Sequence, residues 1–193
     1  MKVLQIDSSI LGSHSASRAL TADIVARLQA DHPGASVVRY DLDAQPLPHL
    51  SSGSLAASDA TEVARAERVL SDLFAADVIV IGAPMYNFSI PSTLKAWIDR
   101  VAVAGKTFRY TAAGPEGLVK GKRAILAITQ GGVHQLGGAS EHQESYLRFV
   151  LGFIGITEVE VVRAQGLAMS AEHRAQALAK ARASLSHTGK QAA

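Results

Sequence analysis

The sequence predicts an α/β fold: five parallel strands in one doubly wound sheet, with helices on both faces. Three observations lead there. Short β-type runs alternate with longer stripes of helical periodicity, five times over. The run 77–83 (DVIVIGA) is apolar at nearly every position, as a central parallel strand buried on both faces must be. The chain has 193 residues, 48% of them hydrophobic, and no cysteine, so it is long enough to close a core without disulfides. No break in composition divides residues 1–193, which read as one domain.

Residues 2–7 form the first strand. A helix follows over about 17–32, with Leu20, Ile24 and Leu28 on one face, and His32-Pro33-Gly34 stops it. Residues 36–42 are the second strand, and 43–58, rich in Pro, Ser and Gly, a loop. Asp59 and Glu62 have capping-box spacing and open a helix to about Ala75, with Val63, Ala66, Leu70 and Leu73 inward. The third strand is 77–83. Pro91 suits the first turn of a helix to about Ala104. Residues 106–121 are irregular, with room for a hairpin. The fourth strand is 123–129, a helix spans about 141–153, and the fifth strand is 157–163. Ser170 caps a last helix to about Ser186, and 187–193 reads as a frayed tail. The leading topology for these five units is the flavodoxin-like order 2-1-3-4-5.

Composition excludes several classes. Without cysteine there is no thiolate metal site, cysteine nucleophile or CxxC pair. Formal net charge is only +2. No basic run exceeds Lys120-Gly121-Lys122-Arg123, which reads as a solvated turn, so nucleic-acid binding has no footprint. The longest apolar runs, such as 78–83, fall far short of the roughly 18 residues of a membrane span. The apolar start at 3–6 is closed by Asp7, too early for a secretory signal. The expected setting is the cytoplasm. Asp7 is a lone acid at a strand end with a structural reading, and no metal site is expected.

In a sheet of this order ligands bind beyond the carboxyl ends of the strands, between strands 1 and 3. The loops after strands 1, 3 and 4 line that crevice. The first, Ser8-Ser9-Ile10-Leu11-Gly12-Ser13-His14-Ser15-Ala16-Ser17, enters a helix. Hydroxyls and free N–H groups at a helix N-terminus make a phosphate cradle. The loop lacks lysine, with Arg18 just past it, and suits a phosphate monoester better than a triphosphate. The plainer reading is a serine-rich loop with Ser17 as N-cap, and His14 reads as solvated. The second loop, Pro84-Met85-Tyr86-Asn87-Phe88-Ser89-Ile90-Pro91, crowds aromatics onto a strand terminus. They point to a flat apolar ligand whose ring edge Asn87 can meet, or else Tyr86 and Phe88 fold back into the core. The third, Thr129-Gln130-Gly131-Gly132-Val133-His134, pairs glycines that let backbone N–H groups approach a ligand, or is a loose turn. His134 reads either as structural or as an assisting proton donor or positive partner. Cradle, aromatic clamp and glycine wall together describe a phosphorylated planar heterocycle, and FMN fits best.

These residues resemble the FMN-dependent NADH-azoreductases, a branch of the flavodoxin-like quinone reductase superfamily. The resemblance covers essentially the whole chain. It is carried by Ser8-Ser9-Ile10-Leu11, Ser15-Ala16-Ser17, Ala83-Pro84-Met85-Tyr86-Asn87-Phe88, Gly105-Lys106-Thr107-Phe108-Arg109-Tyr110, Gly114-Pro115-Glu116-Gly117-Leu118 and Gly152-Phe153-Ile154-Gly155-Ile156. It implies a homodimer with one noncovalent FMN per subunit, near the interface. It implies that Ser9, Ser15, Ala16 and Ser17 hold the phosphate. It places Met85, Tyr86, Asn87 and Phe88, with Thr129, Gln130, Gly131 and Gly132, along the isoalloxazine. Tyr110 and Phe153 are implied at the substrate pocket, some of these aromatics facing the partner's flavin; the residue reading alone adds His134 there. Gln130 stands where the family frequently has arginine, so a neutral amide replaces a possible positive charge beside the ring. The implied reaction is ping-pong. NADH gives a hydride to the flavin and leaves, and a quinone or azo compound then takes it, an azo bond needing two such rounds for cleavage to amines.

Two other classes share the topology. A flavodoxin-type electron carrier usually has an acidic docking face, which this slightly basic chain lacks. A phospho-acceptor domain needs several acids at the strand ends, where Asp7 stands alone. Fold alone does not separate them; the loops do.

Overall fold

The computed structural model describes residues 1–185, so the expected helix end at Ser186 and the tail 187–193 lie outside the described residues. In chain order the elements are β1 (Lys2–Asp7), α1 (Ala16–Asp31), β2 (Ser36–Asp41), α2 (Ser52–Leu55), α3 (Ala60–Ala75), β3 (Val78–Pro84) and α4 (Ser92–Val101). Then come β4 (Phe108–Thr111), β5 (Gly114–Gly117), β6 (Arg123–Thr129), α5 (Glu144–Ile154), β7 (Glu158–Ala164) and α6 (Ala171–Ser184). The main sheet has the order β2-β1-β3-β6-β7, every pair parallel. This is the expected 2-1-3-4-5 order, renumbered because the irregular stretch does hold an antiparallel hairpin, β4–β5.

Alternation along the strands sorts the core into two layers. Leu4, Ile6, Ile79, Ile81, Leu126 and Ile128 pack with Leu70, Leu73, Leu94, Trp97, Leu147 and Leu151 from α3, α4 and α5. Val3, Val78, Val80, Ile125, Ala127 and Val162 pack with Leu20, Ile24 and Leu28 of α1 and Ala181 of α6. Gly82 lets α1 come close: a Cβ there would stand 2.9 Å from Thr21 Cγ2 and 3.3 Å from Asp7 Oδ1. Among the described residues no helix is long and apolar enough to cross a membrane.

Several local expectations are corrected. The N-cap of α1 is Ser15, whose hydroxyl accepts the Arg18 N–H, and not Ser17. Val63 and Ala66 are only half-buried; they line a groove beneath Leu50 and Leu55, and Val69 takes the inward place beside Leu70 and Leu73. Asp59 caps α3 through the N–H groups of Thr61 and Glu62, but the Glu62 carboxylate goes to Arg65 and Arg100, so the capping box is half-made. Pro91 stands at the N-cap of α4, one residue before the helix. The loop 43–58 contains α2, closed by a Ser51–Ser54 reciprocal cap rather than the Ser–Glu pair that spacing rules seek. The basic cluster at 120–123 is no solvated turn. Lys122 Nζ donates to the carbonyls of Phe74 and Ala76 at the end of α3, and Arg123 pairs with Glu160.

The hairpin is seated by two glycines. A Cβ on Gly117 would fall 2.3 Å from the Gly155 nitrogen. Gly155 ends α5 with φ 111°, a left-handed turn that a side chain opposes. Val119 N–H then donates to the Ile154 carbonyl at 2.9 Å.

Candidate functional site

The loops after β1, β3 and β6 meet at the carboxyl edge of the sheet, as expected. The first is built on buried groups. Ser8 Oγ donates to the Gly82 carbonyl at 2.7 Å, tying the end of β1 to β3. Ser9, Ser15 and Ser17 are all buried, with Ser15 Oγ and Ser17 Oγ 3.1 Å apart. Ser9 Oγ lies 3.3 Å from the Tyr86 hydroxyl, which also accepts the Ile10 N–H. The Ala16 and Ser17 N–H groups open α1 and have no acceptor among the described residues. Two N–H groups and a cluster of hydroxyls at the positive end of a 16-residue helix suit a phosphate. Arg18 does not enter this cradle. Its guanidinium donates to the Ser9 carbonyl (2.8 and 3.2 Å) and to both oxygens of Asp41 (2.5 and 2.7 Å). The Arg18 hydrogen bond, chief among its causes, holds the Asp41 carboxyl down at about 2. Asp7 lies beneath, fully buried, and accepts from Thr21, Arg39 and Gln5. It is structural, as its isolation in the sequence implied. His14 is exposed.

The second loop is a tight turn. Tyr86 and Ser89 exchange two backbone hydrogen bonds of 2.9 and 3.1 Å. Between them Asn87 and Phe88 have φ 49° and 70°. Two successive positive φ values are the pattern of a type I′ turn, which favours Asn-Gly. Asn tolerates it, but a bulky Phe is held there at a cost, the kind of strain that gathers at ligand sites. Phe88 is 56% exposed, and Met85 and Tyr86 are half-buried. Neither aromatic folds back fully into the core.

The third loop is zipped from behind. The carbonyls of Gln130, Gly131 and Gly132 accept the N–H groups of Leu167, Ala168 and Gly166. The N–H groups of Gly131 and Gly132 have no acceptor among the described residues. Thr129 is buried, and its carbonyl accepts the Met85 N–H at 2.8 Å, joining the two walls. Gln130 departs from expectation. It is 2% exposed, and its amide is engaged by Gln143 and Gln165, so the side chain turns inward rather than along a ring. His134 is half-buried, with Nδ1 2.9 Å from Ser140 Oγ and its ring edge-on to Phe88 at 6.1 Å.

Tyr110 and Phe153 are brought together, but not inside this crevice. Phe108 bridges them, at 5.5 Å from Tyr110 and 4.5 Å from Phe153. Phe149 stacks on Phe153 at 6.4 Å. Tyr110 and Phe149, at the two ends of this ladder, are 75% and 72% exposed. Phe149 also lines an open pocket of about 1000 Å³ with Ile10, Tyr86, Asn87, Lys95 and Tyr146. Trp97 of α4 is 1% exposed and belongs to the core. Its helix periodicity faces it to the sheet.

A family profile described as "Flavodoxin-like fold" matches residues 1–188. The chain belongs to the flavodoxin-like family. Within it, the chain is 55% identical over 186 residues to "FMN-dependent NADH:quinone oxidoreductase 1" of Xanthomonas axonopodis pv. citri (strain 306), covering 96% of each chain. It is 55% identical over 185 residues to "FMN-dependent NADH:quinone oxidoreductase" of Stenotrophomonas maltophilia (strain K279a), covering 96% of this chain and 94% of the relative. The crystal structure of azoreductase from Bacillus anthracis str. Sterne superposes with TM-score 0.86 at 28% identity, over 97% of this chain and 98% of that one.

The residues present in this flavodoxin-like chain fit FMN. The N–H pair of Ala16 and Ser17 suits the phosphate, and the N–H pair of Gly131 and Gly132 suits the polar edge of a ring. The turn at Asn87 and Phe88 follows β3, the strand between β1 and β6, and presents the Phe88 ring, 56% exposed. Sequence reasoning missed four residues that hold this arrangement: Asp41, Glu141, Gln143 and Gln165. Burial alone would raise the Glu141 carboxyl. The N–H groups of Glu144, Gln143 and Ser145 outweigh that and hold it below its usual range, so it caps α5 as a carboxylate. Only Glu141 left a signal, an acid three residues before a helix start. Neutral amides at element ends leave none.

Proposed function

We propose that this chain is an FMN-dependent NADH:quinone oxidoreductase that also reduces azo compounds, acting in the cytoplasm as a homodimer with one FMN per subunit. The observation that carries this is the pairing of unclaimed N–H groups at the two ends of one crevice, Ala16 and Ser17 at one and Gly131 and Gly132 at the other. Bound FMN would supply two-electron, hydride-level redox chemistry between NADH and the second substrate. The chain's residues bind and orient. Ser9, Ser15 and Ser17 surround the phosphate. Met85, Tyr86, Asn87 and Phe88 would support one flank of the ring, and Thr129, Gly131 and Gly132 would hold its polar edge; N–H groups aimed where charge develops act most strongly out of water. One crevice serves NADH and the quinone in turn, which makes the kinetics ping-pong. His134, beside Phe88, assists at the substrate's polar end. The single unit 1–193 carries the whole cofactor site. Tyr110 reaches toward a second copy and completes that copy's substrate pocket, which Phe153 helps to shape, and the exposed ends of the aromatic ladder support that reading.

The test is an anaerobic spectrum of the FMN-loaded protein. NADH is expected to bleach the flavin and a quinone to restore it within the mixing time. Bound FMN that neither NADH nor NADPH bleaches would overturn the reading in favour of a carrier. The natural acceptor is expected to be quinone-like, so benzoquinone should turn over faster than methyl red; the reverse order counts against it.

A further inference from the structure

Three amide side chains form one chain beneath the crevice. Gln143 Nε2 donates to the Ala83 carbonyl at 2.7 Å, and Gln130 Nε2 donates to Gln143 Oε1 at 2.9 Å. Gln165 Nε2 donates to Gln130 Oε1 at 2.6 Å and to the His134 carbonyl at 2.7 Å. Gln130 and Gln143 are 2% and 0% exposed. Both ends of the chain are main-chain carbonyls, which only accept. That fixes every member. Gln143 must turn its NH₂ to Ala83, so its oxygen meets Gln130, whose own oxygen then meets Gln165. No member can flip alone without setting two oxygens or two NH₂ groups face to face, and a buried amide left unpaired is costly.

The chain joins the two walls. Ala83 directly precedes Pro84-Met85, and Gln130 lies between Thr129 and Gly131. Gln143 is the N-cap of α5, and the preceding His142 N–H holds the Phe88 carbonyl at 3.2 Å. Gln165 ties the same chain to the loop that backs the glycines.

We propose that Gln130, Gln143 and Gln165 are positioning residues: a polarised amide relay that fixes the spacing of the 84–88 and 129–134 walls. It thereby sets how tightly FMN is held and how strongly its reduced form is favoured. The proposal rests on the crevice reading given above. N–H groups at Gly131 and Gly132 favour negative charge on a reduced ring, so their displacement changes the two redox forms unequally.

The test uses full-length protein carrying Gln130→Met, Gln165→Met and Gln130→Glu, with Ser15→Asp as a control on the crevice itself. Gln165 is half-buried, so its variant is expected to keep the fold even where a fully buried change does not. Ser15→Asp keeps an N-cap for α1 but sets a negative charge in the cradle. FMN affinity is read by fluorescence titration, the midpoint potential by anaerobic dye equilibration, and folding by the Tm of the apoprotein. Gln130→Met is expected to weaken FMN binding about tenfold. It is also expected to change the ratio of reduced to oxidised affinity about threefold, or about 14 mV for a two-electron couple. Gln165→Met is expected to act in the same direction and less. Gln130→Glu, whose carboxylate would face the Gln143 oxygen, is expected to be the most severe. A purely structural role would lower Tm and leave the potential unmoved in every variant; that result overturns the relay. If Ser15→Asp also binds FMN normally, the crevice reading falls and the relay with it. If Ser15→Asp loses FMN while the Gln variants keep the parent potential, only the relay falls.

Discussion

Arg18 shows how a cation beside a phosphate loop works without touching the phosphate. Its side chain is 12% exposed and clamps the Ser9 carbonyl against Asp41. The consequence is a fixed loop backbone rather than added positive charge. Asp41→Asn removes one end of the clamp and is expected to weaken FMN binding about fivefold, read by fluorescence titration. The same pair makes a pH prediction. The Asp41 carboxyl sits at about 2 against an ordinary 3.8. The lowered value means that its stabilisation, about 2 kcal/mol before solvent screening, is complete above pH 4. It is lost as pH falls through about 2, so urea melts of parent and Asp41→Asn should converge there. Arg18 was visible in the sequence as a neighbour of the loop, but its role was not. The role depends on Asp41, which reaches it only because β1 and β2 pair. Gln130 misled for the same reason: its position named a wall residue, while its partners at 143 and 165 decided where the amide points.

At the scale of elements, what could be read was set by local chemistry. β1, β2, β3 and β6 were legible to within about a residue because apolar runs ending in turn residues leave little choice. α3 and α6 were legible from Asp59 and Ser170, both of which do cap. α2 was missed because four residues cannot show a period, and its serine cap imitates a loop. The hairpin was only allowed for, since no local signal tells where Gly114-Pro115-Glu116-Gly117 docks. Its docking is set by backbone contact with the end of α5, which no periodicity reports. Gly117→Ala would drive a methyl into Gly155 and is expected to lose about 2–4 kcal/mol of stability, measured by urea unfolding. FMN affinity should fall less, because the hairpin stands away from the phosphate cradle.

For the whole molecule, the winding order followed from five β–α units and a fully buried β3, and the crevice followed from the order. Its quaternary arrangement did not. Trp97 of α4 is buried and Phe149 of α5 is exposed, a difference that composition does not report. Phe149→Lys places a charge on the proposed contact between copies. It is expected to shift the protein from dimer to monomer in analytical ultracentrifugation and to depress quinone turnover about tenfold or more. FMN should remain bound, since the phosphate and glycine donors all come from one chain. The hairpin that carries Tyr110 outward has a genetic reading. In the proposed dimer each chain finishes its sister's pocket and leaves its own to be finished, so a lesion at Tyr110 acts in trans. A cell making intact and Tyr110-damaged chains in equal amounts would assemble mixed pairs in which the healthy polypeptide carries the defect.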